Sequence, residues 1–474
     1  MRPPIDDEEL ALTTDPIAAD VRFPDGFVWS SATASYQIEG ATDEDGRGPS
    51  IWDTFSRTPG KVLNGDTGDV ACDHYHRYAE DVALMRDLGV GAYRFSIAWP
   101  RVQPQGDGRI EPRGLDFYDR LVDELGGAGI RPVVTLYHWD LPQALQDRGG
   151  WGERDTAERF VDYARGVHER LGDRVQDWTT LNEPLCASYL GYYAGMHAPG
   201  LEDAELAFRA AHHLLLGHGM VINALRSTGG EDRFSIVLNL VNVLAEGDDA
   251  EATADAARRI DGLYNRMFLD PVLRGRYPQD VLDDVADITD FGFVKDGDLA
   301  TIRAQLDYLG INYYMPNRIG PGPDEPTPGS IFPGLRRATL LPSRGPLTAM
   351  GWEQYPQGLY DVLTRVHRDY PGTPLFVMEN GAAFDDVVSE DGQVHDPDRV
   401  AYYDAHIRAA HRAIQDGVDL RGYTAWSLLD NFEWAYGYSK RFGLVRVDYD
   451  TQQRTPKDSF RWYSQVARSN ALPS

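Results

Sequence analysis

Cysteine is nearly absent from this chain, which has only Cys72 and Cys186 in 474 residues. Two thiols exclude a disulfide framework and a cysteine-built zinc site, and they point to a reducing compartment. Basic residues fall short as well: 46 Lys and Arg stand against 74 Asp and Glu, for a net charge of −28. Such a surface repels phosphate backbones and anionic headgroups, so neither nucleic acid nor membrane is expected as a partner. No apolar run approaches the ~18 residues of a membrane span. The opening MRPPIDDEEL has two prolines and four acids where a leader would need an apolar stretch, and the expected location is cytoplasmic. The 47 glycines and 29 prolines follow no period of three, which removes collagen-like chains. What remains, at 42% hydrophobic and 11% aromatic residues, is a globular chain able to bury a large core.

Residues 1–20 are polar and are expected to be flexible, with 21–474 forming one domain. From there short β-rich runs alternate with helical periodicity to the end of the chain, the rhythm of βα units. The expected strands are Phe27–Ser31, Ala92–Ile97, Arg131–Tyr137, Asp177–Leu181, Phe234–Leu240, Tyr308–Tyr313, Leu375–Met378 and Gly422–Trp426. Between them lie amphipathic stretches such as His74–Leu88, with Tyr78, Val82, Met85 and Leu88 on one face, and Thr156–Leu171, with Phe160, Tyr163, Ala164 and Val167. Eight parallel strands either make a very wide open sheet or close on themselves, and closure removes the edges. The fold class is therefore α/β, a (β/α)₈ TIM barrel with extended βα loops. The Pro/Gly-rich stretch from Gly320 to Pro346 lacks periodicity and reads as one long loop.

Reactive groups of such a barrel sit at the C-terminal ends of its strands. There the chain places Glu183, after strand four, and Glu379, after strand seven. Paired carboxylates suit acetal hydrolysis, in which one group protonates the departing oxygen while the other supports the oxocarbenium carbon. Around them stand Gln37, Arg94, His138, Asn182, Tyr314, Trp426, Glu433 and Trp434. A pyranose needs this mixture, with bidentate polar groups for its edge and an aromatic plane for its face.

Several segments carry a family resemblance: Thr180-Leu181-Asn182-Glu183-Pro184, Glu379-Asn380-Gly381, Tyr137-His138-Trp139-Asp140-Leu141-Pro142-Gln143 and Trp426-Ser427-Leu428-Leu429-Asp430-Asn431-Phe432-Glu433-Trp434. Together with Phe23-Pro24-Asp25-Gly26-Phe27 and the stretch Ser30–Gly40, they resemble the family 1 glycoside hydrolases, the β-glucosidases, from about Phe23 to about Tyr463. The resemblance implies a retaining mechanism with Glu379 as nucleophile and Glu183 as general acid/base. It implies that Gln37, His138, Asn182 and Glu433 hold sugar hydroxyls, that Trp426 is the stacking platform and that Trp434 donates an indole N–H. Tyr314 and Arg94 would attend the nucleophile, and Trp352 would face the leaving group. No cofactor or metal is implied, and the substrates would be β-glucosides and short β-linked oligosaccharides such as cellobiose.

Met378 departs from the usual Thr before the nucleophile, and strand alternation is expected to turn it toward the helix layer. The pair His74 and His76 is not expected to bind metal, since no carboxylate cluster accompanies it at usable spacing. His212 and His213 are expected on a helix surface or in packing. Rival readings are a 6-phospho-β-glycosidase, against which Glu433 stands as a like charge, a thioglucosidase, against which Glu183 stands, and a sugar-binding protein without catalysis. Sugar preference and oligomeric state stay open.

Overall fold

The computed structural model describes residues 21–327 and 329–473, so the flexible segment expected over 1–20 lies outside the described residues. Eight strands form a closed barrel in chain order: β1 (Val28–Ala32), β2 (Ala92–Ser96), β3 (Arg131–Tyr137), β4 (Asp177–Asn182), β5 (Arg233–Asn239), β6 (Leu309–Asn312), β7 (Leu375–Asn380) and β8 (Leu420–Trp426). Every neighbouring pair is parallel. The ring closes where β8 meets β1, with Val28 opposite Gly422 and Ala32 opposite Trp426. Runs such as Val133-Val134 in β3 and Ile236-Val237-Leu238 in β5 are buried, which is the pattern of strands covered on both faces.

Helices supply the outer cover. His74–Leu88 buries Val82, Met85 and Leu88, and ends at Gly89, whose φ of +80° suits a left-handed C-terminal stop. Arg154–Leu171 buries Phe160, Tyr163, Ala164 and Val167. No helix among the described residues is long and apolar enough to cross a membrane.

Two expectations are corrected. Met378 does not face the helices: it packs inside the barrel with Ala92, Val133, Val237 and Tyr308, below the strand ends. A register shift between Val377 and Glu379 lets residues 378 and 379 both point inward, so simple alternation fails at that step. Gly310 on β6 makes the room, since a Cβ there would lie 2.7 Å from Met378 Cγ. The stretch Gly320–Pro346 is not wholly irregular either. Ala338–Leu340 pairs antiparallel with Asn317–Pro321, which pairs parallel with Val243–Ala245, and this small sheet carries residue 331 to the barrel mouth.

Candidate active site

The ends of the strands converge on one guanidinium. Arg94 of β2 donates from Nη1 to Glu379 Oε1 at 2.6 Å, from Nη2 to Asn182 Oδ1 at 2.7 Å and from Nε to Thr135 Oγ1 at 3.1 Å. It thereby fixes the ends of β7 and β4 against β2 and β3. The other oxygen of Glu379 accepts from the Tyr314 hydroxyl at 2.6 Å. Glu183 follows β4 with a left-handed backbone (φ 47°), which turns its side chain back over the mouth beside that of Asn182. Its Oε1 accepts from Asn312 Nδ2 at 2.7 Å, and the same amide reaches Asn182 Oδ1 at 3.1 Å. Glu183 is thus joined to Glu379 through a chain of hydrogen bonds that runs over Asn312, Asn182 and Arg94.

Both carboxyls open on a single cavity of about 250 Å³, which is also lined by His138, Asn182, Tyr314, Trp352, Trp426, Glu433 and Trp434. Gln37 and Arg94 stand one layer behind. The Gln37 amide donates to Phe432 O at 2.9 Å, Asn431 Oδ1 at 3.0 Å and Glu433 Oε2 at 3.4 Å, and its own oxygen is buried without a partner among the described residues. The His138 ring lies near-parallel to those of Trp426 and Trp434, each at 5.9 Å. Trp352 sits farther out, 5.4 Å from Tyr314 and 6.0 Å from Phe442.

Burial and crowding set the charges. Glu183 is pushed up to about 7, first by burial and then by the charge of Glu379, against the Asn312 hydrogen bond. Burial also raises Glu379, but Arg94 and the Tyr314 hydroxyl pull it back, so Glu379 ionises before its neighbour. Glu433 reaches about 8 through burial, aided by the charges of Glu379 and Glu183. His138 is held well below the usual histidine range by burial and by Arg94. Its Nε2 therefore accepts from the Asn182 amide at 3.1 Å, and the ring proton belongs on Nδ1.

The sequence reading missed Asn312 as a site member, although its place at the end of β6 was the signal that singled out Tyr314 two residues on. It also missed Cys186, one turn beyond Glu183, which lines the same cavity and accepts from the Asn239 amide at 3.6 Å. The histidines outside the site have structural partners. His74 pairs with Asp81 at 2.7 Å, while His76 sits between Asp73 at 2.6 Å and Glu44 at 3.1 Å. These carboxylates pair with the two histidines separately, and among the described residues no three metal-binding side chains converge. His212 and His213 are buried, on Tyr277 with Asp298 and on the Trp151 carbonyl respectively.

Comparison with known proteins agrees with this geometry. The chain is 54% identical over 456 residues to the thermostable beta-glucosidase B of Thermobispora bispora, covering 96% of this chain and 92% of that one. It is 54% identical to the bifunctional beta-D-glucosidase/beta-D-fucosidase of Bifidobacterium breve, covering 93% and 97%. Among solved structures, the family 1 β-glucosidase of Thermotoga maritima superposes with a TM-score of 0.91 at 48% identity, over 96% of this chain and all of that one. The glycosyl hydrolase family 1 profile matches residues 19–472, and the chain belongs to that family.

Proposed function

We propose that this chain is a retaining β-glucosidase that releases terminal β-D-glucosyl residues by double displacement. The observation that carries the reading is the pair Glu183 and Glu379, on one cavity, joined through Asn312, Asn182 and Arg94 and with unequal proton affinity. A retaining reaction needs carboxyls about 5–5.5 Å apart, close enough to act on one anomeric centre.

In the first step ionised Glu379 attacks the anomeric carbon and forms an acylal ester. Glu183 gives its proton to the departing oxygen, so the leaving group exits as a neutral alcohol. Esterification removes the charge of Glu379, which lowers the proton affinity of Glu183. Glu183 then takes a proton from water as that water attacks the same carbon, and Glu379 is released as carboxylate. Two inversions retain the configuration. Asn182 is placed for the 2-hydroxyl, a contact that strengthens toward the transition state. Gln37, His138, Glu433 and Trp434 take the remaining hydroxyls, and Trp426 supports the sugar face.

Geometry around Glu433 revises the argument against a phosphorylated sugar. A carboxyl held up to about 8 is mostly neutral at pH 7, so like-charge repulsion contributes little. The stronger objection is that, among the described residues, no Lys or Arg lines the cavity: Lys440 lies outside that lining and donates to Ala349 O at 2.6 Å, and Arg94 is committed to Glu379 and Asn182. Short oligosaccharides such as cellobiose belong to the proposed substrate range. So do β-fucosides, for which the Bifidobacterium relative is bifunctional. A cytoplasmic location is part of the proposal and is supported by two thiols that are buried and unpaired.

The test is chemical trapping. A 2-deoxy-2-fluoro-glucoside with a good leaving group should inactivate the enzyme and leave the sugar on the peptide containing Glu379, as mass spectrometry would report. Label on another carboxylate, or α-glucose as the first product by NMR, would refute the mechanism.

A further inference from the structure

Asn380 ends β7 one residue after the nucleophile, yet it takes no part in the cavity lining and is fully buried. Its side chain reaches instead toward the helix Pro397–Gln415 that covers the barrel there. Both N–H groups of its amide and its oxygen are engaged. Nδ2 donates to Tyr313 O at 2.7 Å and to the Tyr402 hydroxyl at 3.0 Å, while Oδ1 accepts from the Tyr423 hydroxyl. A carbonyl oxygen can only accept, so Tyr313 O fixes which way the amide is turned.

What this amide grips bears on the reaction. Tyr313 N donates to Glu379 O at 3.1 Å, so both main-chain polar groups of Tyr313 are bound by residues 379 and 380. The next residue is Tyr314, whose hydroxyl donates to Glu379 Oε2 at 2.6 Å. These contacts close a ring. It runs from Glu379 along the chain to Asn380, across the amide to the Tyr313 carbonyl, on to Tyr314, and back through the phenol to Glu379. The β6–β7 ladder slips just before this point, between Val377 and Glu379, so main-chain pairing alone holds the two strand ends loosely. The Asn380 amide supplies the missing tie. The phenol it steadies matters, because that hydroxyl and Arg94 together counter the rise that burial imposes on Glu379.

We infer that Asn380 is a positioning residue for the nucleophile, acting through the Tyr313 carbonyl to hold the Tyr314 hydroxyl on Glu379. The inference rests on the β-glucosidase reading and gives a role to a side chain that does not meet the sugar. An amide that merely tied β7 to Tyr402 and Tyr423 would stabilise the fold and leave the chemistry unchanged.

A cycle of variants, read on the nucleophilic step, separates the two roles. Inactivation by a dinitrophenyl 2-deoxy-2-fluoro-glucoside reports attack by Glu379 with little help needed from Glu183. In Asn380→Ala its rate constant should fall about 10- to 100-fold, the scale of one hydrogen bond to a charged group. The acidic limb of the kcat/KM profile should move to higher pH, since Glu379 keeps Arg94 but loses a donor in a cavity shared with Glu183 and Glu433. In a Tyr314→Phe background, with no hydroxyl left to hold, the same change should cost less than about threefold more. Tyr402→Phe combined with Tyr423→Phe removes the amide's outer anchors without opening a cavity. This milder pair should slow inactivation about 3- to 10-fold with Tyr314 present and leave it unchanged in Tyr314→Phe, whether or not Asn380→Ala folds. A further tenfold loss in the Tyr314→Phe background would overturn the inference. So would normal inactivation by folded variants whose only change is a lower unfolding temperature, and in both cases the β-glucosidase reading would stand. A wild-type protein that neither hydrolyses aryl β-glucosides nor takes the label would remove both.

Discussion

Asp430 and Glu433 stand three positions apart, yet the two carboxyls live under opposite electrostatic rules. Asp430 is fully buried, but its oxygens accept from Lys457 at 2.8 Å and Arg441 at 2.7 Å. Burial pushes its proton affinity up, and those cations overcome the effect and hold it below the usual range. Around it Asp386 and Asp396 meet Arg399, giving three acids and three bases in one packed cluster. Glu433 shares its cavity with Glu183 and Glu379, and the guanidinium behind that cavity, Arg94, is bound to Glu379. Three acids face one base there, and burial first, then the uncompensated charge of the neighbouring acids, raises Glu183 to about 7 and Glu433 to about 8. Balanced charge holds loops in place, whereas unbalanced charge stores the capacity to move protons.

The sharpest way to break this contrast is to remove the nucleophile. Glu379→Gln should lower kcat/KM by at least ~10⁴-fold on every glucoside while the far-UV spectrum and thermal midpoint stay near wild type. A rate within tenfold of wild type would end the assignment. Glu183→Ala should cost roughly 10²–10⁴-fold on alkyl glucosides and far less on dinitrophenyl glucoside in the first step. Added azide should restore turnover of the latter and yield β-glucosyl azide by NMR. An α-azide, or no azide product, would contradict the acid/base role.

On the balanced side, Lys457→Met leaves Asp386 and Asp430 short of a cation and should destabilise the fold by roughly 3–5 kcal/mol. Calorimetry would register this as a lower unfolding temperature, and an unchanged one would mean that the cluster does not hold the β8 loop. The smallest effect concerns pH. The folded protein holds the Glu433 proton more tightly than the unfolded chain does, so wild type loses stability as pH rises from 4.5 to about 8. Glu433→Gln has no such proton to lose, and its unfolding temperature relative to wild type should rise across that interval by an amount worth up to a few kcal/mol. A constant difference would show that Glu433 is ionised in the folded state. For catalysis the sign is similar: kcat/KM should decline as pH climbs through about 7, where Glu183 loses the proton it must donate.

All eight strands were legible because buried parallel strands are written as apolar runs, and Arg131–Tyr137 matches to the residue. Where strand ends carry polar residues the reading stopped early, at Leu181 rather than Asn182 and at Met378 rather than Asn380. The orientation of Met378 was illegible because a register shift leaves no mark in composition. Ala338–Leu340 was missed because three residues cannot show a period. The two carboxyls and their attendants were found through position and motif. Apolar residues of the cavity lining such as Leu190, Met315 and Ile331 escaped notice because they come from separate segments, each unremarkable alone. The left-handed turns at Trp139, Glu183 and Trp434 were likewise hidden, since no glycine announces them.

The pairing of the first strand with the last has a consequence for how the protein comes into being. Gln37 and Glu433 grip one another across 396 positions of sequence, and the ring is incomplete until Leu420–Trp426 takes its place beside Val28–Ala32. A nascent chain emerging from the ribosome therefore has no half-working form. It acquires its hydrolytic power in one event, once Leu420–Trp426 has been made and has docked.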